Sequence, residues 1–406
     1  MLFMANQTIC QNIDQPKTIG ESITFNSQVL ETEREIQVYL PENYDNALTK
    51  YPVLYVLDGQ RYFLNGIAFQ HNLTWQQIVP NFIIVGIVTD SQKRRSLLYD
   101  ESTLFIQFLE KELIPKIDSD YRTLEERIYF GWEMAAGLGV EIMADVPSLF
   151  NGYLLASPTF ISEDRLDNVN KMMEGNPEQN LKIYASLGVV EGWAVASMSS
   201  LDSIIKRSPH KNIEWKYNFS ENENHYTTPL TTINEGLKFF FSDYGPLRFY
   251  TLKEFNDFGG INALREHYNI RGDRYQIAGD VHDDTKHYLL IQSYRENNFE
   301  MFNQLVIGFG GKAFIKEYYN RASWFNRFAT FFLSNNELAD ALEIFEVGIL
   351  KFPDSSILNN GMGNYYKANG ELNNAKKWYK KAIKIAETNN EPELSEYKKN
   401  LESIKN

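Results

Sequence analysis

The chain has 406 residues, enough for two or three domains at roughly 150 residues each. Its apolar fraction of 43% and charged fraction of 23% are those of a globular protein and exclude a disordered or fibrous chain. With 40 Lys+Arg against 53 Asp+Glu the net charge is −13, which repels phosphate backbones and argues against nucleic acid as a partner. The single cysteine, Cys10, cannot form an internal disulfide, and no Cys/His cluster has zinc spacing, so neither metal nor other cofactor is expected. The apolar run from Phe82 to Val88 is far short of the roughly 20 residues of a membrane span. The opening MLFMANQTICQNIDQ has no basic n-region and no sustained apolar stretch. That leaves a cytoplasmic location by default, or a periplasmic or secreted one if a signal peptide has been removed.

From about residue 20 to 243, short β-rich runs alternate with helical patterns. The expected strands are Ile23–Val29, Arg34–Leu40, Pro52–Asp58, Phe82–Val88, Arg127–Gly131, Gly152–Ser157, Leu181–Leu187 and Ile213–Asn218. Several are continuous apolar runs, as strands buried on both faces are. The intervening stretches Ser102–Ile117 and Glu133–Ala144 have helical spacing. Such alternation predicts a doubly wound, mostly parallel sheet, with the first two strands as an antiparallel hairpin at one edge.

The strand signal ends near Pro246, so residues 1–245 and 246–406 are expected to be separate domains. In the second, Ala329, Phe332, Ala341, Phe345 and Gly348 recur 34 residues later as Gly363, Tyr366, Ala375, Tyr379 and Ala382. That period, with small and aromatic residues in phase, is the tetratricopeptide period and places repeats at about 322–355 and 356–389. Pro392–Lys405 follows as a capping helix, and the repeats are expected to contact a protein partner or a second copy of the chain. His282 and His287 lie five apart, a spacing that suits a solvated turn better than a metal site, and the acidic run Glu221–Glu223 suits a solvated loop.

Hydrolase chemistry on a doubly wound sheet places a nucleophile on a strand-to-helix elbow, G-x-S-x-G, followed in sequence by an acid and a histidine. Here the turn after the strand Arg127–Gly131 is Gly131-Trp132-Glu133-Met134-Ala135. Small residues at both ends satisfy the sterics of an elbow, while Glu133 stands where the serine is needed. A loop acid, Glu191, follows the strand ending at Leu187, and His225 follows the strand ending at Asn218. Ser157 and Ser186 suit strand termination rather than nucleophilic attack.

These positions, with Tyr51-Pro52-Val53-Leu54-Tyr55-Val56-Leu57-Asp58-Gly59, Leu113-Ile114-Pro115, Ser157-Pro158, Ser186 to Glu191 and Asn224-His225, resemble the putative esterase family that includes enterobactin esterases. Several members carry a C-terminal tetratricopeptide extension. The resemblance implies an α/β-hydrolase fold and ester hydrolysis by serine, histidine and acid, with Glu191 and His225 as acid and base. It also implies Gly59, Gln60 and Met134 as oxyanion donors. Trp132 is expected either to line the substrate cleft or to serve packing alone. Two motifs depart from the family pattern. Gly-His-Ser-x-Gly-Gly has become Gly131-Trp132-Glu133-Met134-Ala135-Ala136, and Arg-x-Arg-Asp has become Lys93-Arg94-Arg95-Ser96. The expected function is an esterase-like protein impaired in ordinary ester hydrolysis and retained for binding a small ester-like ligand or a protein. The alternative is an active hydrolase using Glu133 as nucleophile or base. Glu133, Glu191 and His225 are expected to converge, with the Glu133 charge beside the imidazole.

Overall fold

A computed structural model describes residues 19–42, 44–46, 48–89, 92–175 and 177–404; Cys10 and the opening segment lie outside the described residues. The chain forms two compact units, one ending at Gly245 but also taking in Asp273–Ile277, the other comprising Pro246–Gly272 and Ala278–Asn406.

The first unit is built on eight strands: β1 Glu21–Ser27, β2 Thr32–Tyr39, β3 Tyr51–Leu57, β4 Ile83–Ile87, β5 Thr123–Trp132, β6 Gly152–Ala156, β7 Leu181–Gly188 and β8 Ile213–Ser220. Their order is β1-β2-β4-β3-β5-β6-β7-β8. The hairpin β1–β2 is antiparallel and β2 meets β4 antiparallel, while every pairing from β4 to β8 is parallel. The helices are α1 Gly59–Trp75, α2 Ser102–Phe108, α3 Ile114–Asp120, α4 Met134–Asp145, α5 Glu163–Glu174, α6 Gly192–Arg207 and α7 Thr228–Phe240. The expected helix Ser102–Ile117 is thus divided, because Leu109–Leu113 forms a π-turn between α2 and α3. The sheet buries both faces. Val53, Tyr55 and Leu57 of β3 join one core, while Leu54 and Val56 of the same strand join the other. This is the α/β-hydrolase arrangement, and it places the turns after β3, β5, β6, β7 and β8 at one edge of the sheet.

The second unit is all helical. It contains α8 Leu252–Phe258, α9 Gly260–Tyr275 (whose last turn belongs to the first unit), α10 Asp283–Arg295, α11 Phe299–Gly308 and α12 Ala313–Tyr318. It ends with α13 Ala322–Ser334, α14 Leu338–Lys351, α15 Ser356–Ala368, α16 Leu372–Asn389 and α17 Leu394–Glu402. The helices α15 and α16 start 34 residues after α13 and α14 (356 − 322 = 34; 372 − 338 = 34). Gly363 lets α15 approach α16, since a Cβ there would sit 2.5 Å from the Tyr379 ring.

The expected solvated turn at His282 and His287 is not found. His282 caps α10, its Nδ1 accepting the Asp284 N–H at 3.1 Å. His287 lies within α10 among the rings of Tyr288, Tyr318, Tyr319 and Trp324, with Nδ1 2.9 Å from the Tyr319 hydroxyl. The cap needs Nδ1 of His282 as an acceptor and so uses the neutral ring.

Two predictions follow from these contacts. The Tyr129 hydroxyl donates to the Ala135 carbonyl at 2.6 Å, whereas the buried hydroxyls of Tyr55 and Tyr153 have no partner among the described residues. In urea unfolding, Tyr129→Phe should cost about 1 kcal/mol, and Tyr55→Phe and Tyr153→Phe should be neutral or slightly stabilising. Losses of equal size in all three would contradict the assignment. The second prediction concerns acid. Burial, the largest cause, pulls the pKa values of both His282 and His287 below the ordinary 6.5. The unfolded chain therefore takes up protons first, so stability is intact above about pH 6.5 and falls as pH drops toward the folded-state values. Melting of the chain at pH 7.5 and 5.5 should show this loss, and the double variant His282→Asn, His287→Phe should flatten it.

Candidate functional site

The elbow is a conformational outlier. Between β5 and α4, Glu133 adopts φ 57° and ψ −116°, a region that costs a side-chain-bearing residue on the order of 1–3 kcal/mol. Its backbone is fastened on both sides: the N–H donates to Ala156 O at 2.9 Å, and the carbonyl accepts from Gly137 and Thr159 N–H, each at 3.1 Å. Gly131 is required here, because a Cβ at that position would lie 2.6 Å from the Ala135 carbonyl. The expected steric half of the motif is present in full.

The Glu133 carboxylate is paired with Arg94 Nη1. Arg94 is itself held by a fork onto buried Asp58, Nε to Oδ1 at 2.9 Å and Nη2 to Oδ2 at 2.8 Å, and by a bond from Nη2 to the Trp132 carbonyl at 3.0 Å. Burial alone would lower the Arg94 pKa, but the hydrogen bond and charge of Asp58, with those of Glu133, outweigh it and hold the guanidinium protonated. The same loop is tied down by Gln60, whose side-chain amide donates to Thr89 O at 2.9 Å and accepts Thr89 N–H at 3.1 Å. The charge expected beside His225 is thus taken up by Arg94. No hydrogen bond or ion pair joins Glu133 to His225 among the described residues. The physical reason is the proximity of a cation already fixed on Asp58.

The acid and the histidine do meet. His225 Nδ1 donates to Glu191 Oε2 at 2.7 Å. The other oxygen of Glu191 accepts the Gly188 N–H and the Ser157 hydroxyl, both at 2.8 Å. Glu191 is fully buried. Burial raises its pKa, but the bonds from His225, Gly188 and Ser157 more than offset this and hold the carboxyl below the usual range. The elbow, acid and histidine follow β5, β7 and β8. Strand β6 lies between β5 and β7, and its end supplies Ser157.

Trp132 connects the two halves. Its indole N–H donates to the His225 carbonyl at 2.8 Å, its ring lies 4.9 Å from the imidazole, and the guanidinium groups of Arg61 and Arg94 stand 5.8 and 5.7 Å from its centroid. Exposed Trp193 and Tyr226 flank His225, with ring centroids 5.8 and 5.4 Å away. Gly59, Gln60 and Met134 occupy the first turns of α1 and α4, where N–H groups have no acceptor within their own helix. Sequence reasoning missed Asp58, Arg94 and Ser157 as members of this network. Asp58 and Arg94 stood in quoted motifs, but nothing in a spacing of 36 residues signals a fork. No group of three or more metal-capable side chains occurs among the described residues.

A family model described as "Putative esterase" matches residues 27–230, half of the chain. An uncharacterised protein from Capnocytophaga ochracea aligns with TM-score 0.59 and 18% identity, over 89% of this chain and 93% of that one. An IroE-like serine hydrolase from Shewanella oneidensis aligns with TM-score 0.56 and 19% identity, over 72% and 99%. The BES protein from Bacillus cereus aligns with TM-score 0.50 and 20% identity, over 55% and 96%. At these identities the likeness is one of fold. No curated protein matches the chain. Elbow, strand order and family match agree: the chain belongs to the putative esterase family.

Proposed function

We propose that this protein is an esterase-family member that has given up serine-dependent ester hydrolysis and keeps its cleft for binding a small ester-like ligand. The observation that carries this reading is the Glu133 carboxylate at the strained elbow, ion-paired to an arginine that is itself anchored on Asp58. A carboxylate so neutralised is a poor nucleophile, and an ester approaching it meets no hydroxyl that His225 could activate. The 34-residue offset of α13–α14 and α15–α16 supports reading the helical region as two tetratricopeptide repeats capped by α17. Their role in this reading is contact with a protein partner or a second copy.

The intact pair of His225 and Glu191 favours one alternative. Three donors hold Glu191 ionised and its bond to Nδ1 orients the imidazole as a general base requires, which suits a mechanism in which Glu133 attacks an electrophilic carbon and expels its leaving group. Water activated by His225 would then cleave the resulting ester.

Aryl-ester turnover separates the two readings. Loss of a serine nucleophile costs on the order of 10⁶ in turnover, so the wild-type chain should stay close to the uncatalysed background. Glu133→Ser should raise activity measurably, roughly tenfold or more over wild type, because it puts a hydroxyl nucleophile at the elbow in place of a carboxylate paired with Arg94. Clear wild-type turnover abolished by Glu133→Gln, with a covalent adduct on Glu133 in mass spectrometry, would establish the alternative instead.

The acid–histidine pair has its own test. Ser157→Ala removes one of three donors to Glu191 and should cost about 1–2 kcal/mol at neutral pH. Because the folded pKa of Glu191 is depressed, this contribution is present above about pH 4.3 and is lost as pH falls through the folded value. The gap in melting temperature between wild type and Ser157→Ala should therefore narrow as the solution is acidified; a constant gap would count against the role given to Ser157.

A further inference from the structure

Outside the cleft, one helix stands apart in charge. The α16 segment carries Lys376, Lys377, Lys380, Lys381 and Lys384 within nine residues of a chain whose net charge is −13. All five are exposed. None has an acidic partner among the described residues, whereas the only acid of α16, Glu387, is paired with Lys398 of α17. At 100° per residue the five fall within an arc of about 140°, centred nearly opposite Ala375, Tyr379, Ala382 and Ala386, which are buried. The helix thus presents an apolar stripe to its neighbours and a comb of ammonium groups to solvent.

This arrangement works against the helix itself. Like charges three and four positions apart, such as Lys376 with Lys380 or Lys377 with Lys381, destabilise a helix. The neighbouring α17 carries Lys398 and Lys399 together with Glu396 and Glu402, and Lys367 of α15 is bonded to the Ser403 hydroxyl; neither acid forms an ion pair with the comb among the described residues. The carboxylates at either end are engaged elsewhere, Glu371 by Asn369 and Asn374, and Glu391 by Ser356 and Asn389.

We propose that the lysine face of α16 is a docking surface for an anionic phospholipid bilayer. Two features favour this occupant over other polyanions. The comb contains no arginine, which would supply the fork geometry for specific phosphate or base recognition. Its exposed positions contain no aromatic residue of the kind that anchors protein interfaces; Trp378 is half-buried, with Lys381 lying 5.2 Å from its ring centroid. A bilayer needs neither device, because clustered lysines on an amphipathic helix are attracted to a flat anionic surface as point charges. The −13 of the whole chain does not cancel this, since charges beyond about 10 Å are largely screened at ordinary ionic strength. The surface is independent of the elbow reading.

Co-sedimentation of the full chain with vesicles tests the proposal. Binding is expected to phosphatidylcholine vesicles containing phosphatidylglycerol, not to phosphatidylcholine alone, and is expected to vanish at high salt. At about a factor of five per lysine, Lys380→Gln with Lys381→Gln should weaken partitioning at least tenfold. Both sites are exposed, and circular dichroism should show unchanged helix content. Equal binding by the double variant would overturn the proposal, as would binding to both vesicle types. Absence of vesicle binding together with salt-sensitive binding to polyglutamate or duplex DNA would overturn it in favour of another polyanion.

Discussion

A carboxylate set on a strained strand-to-helix turn has to be neutralised, and that requirement organises the candidate site. Glu133 cannot withdraw from the elbow, because its backbone is fastened to β6 and to Thr159 and its flanks are packed to within a methyl group. Arg94 meets the charge, but an isolated guanidinium in so enclosed a position would be costly. Asp58 offsets this with a two-bond fork from the end of β3. Three loops are thereby tied together: the turn after β3, the segment after β4 and the elbow after β5. In a serine hydrolase that convergence serves a nucleophile. Here its largest visible consequence is electrostatic closure around Glu133.

The other half of the site is wired separately. Glu191 is a buried acceptor saturated by donors from three places, the Gly188 backbone, Ser157 and His225. Each bond favours the ionised form, so the carboxylate stays charged despite burial and fixes the orientation of the imidazole. Trp132 joins this half to the elbow through its bond to the His225 carbonyl. Trp132, next to Glu133, therefore fills space and bridges two loops at once. Trp132 and Glu133 form one physical unit, since Arg94 contacts the carbonyl of the first and the side chain of the second.

In the helical region the same logic of paired faces recurs with a different outcome. α16 buries alanines and Tyr379 on one side, where Gly363 admits the ring, and leaves five lysines on the other. Burial decides the first face and is local and dense. Charge decides the second, acts over a Debye length, and leaves that surface open to a soft, non-specific contact.

Much of this was legible in the sequence, because apolar periodicity and small-residue spacing report local demands. The continuous runs in β3 and β4 required a sheet buried on both faces, and Gly131 with Ala135 required an elbow. The 34-residue recurrence required helical pairs. Element boundaries were read less well where the chain departs from regular geometry, as at the π-turn Leu109–Leu113 and the early start of β5 at Thr123. His287 was misplaced because its aromatic packing depends on partners such as Tyr319 that lie more than 30 residues away, and His282 because a histidine is an uncommon helix cap. The sequence by itself determined that a carboxylate stands on the turn after β5 and that an acid and a histidine follow it in chain order. Only the tertiary structure decided where that carboxylate's charge goes. The choice between Arg94 and His225 turns on a fork to Asp58 across 36 residues, and a hydrogen-bond geometry of that kind exists only once the strands have brought their loops to one edge.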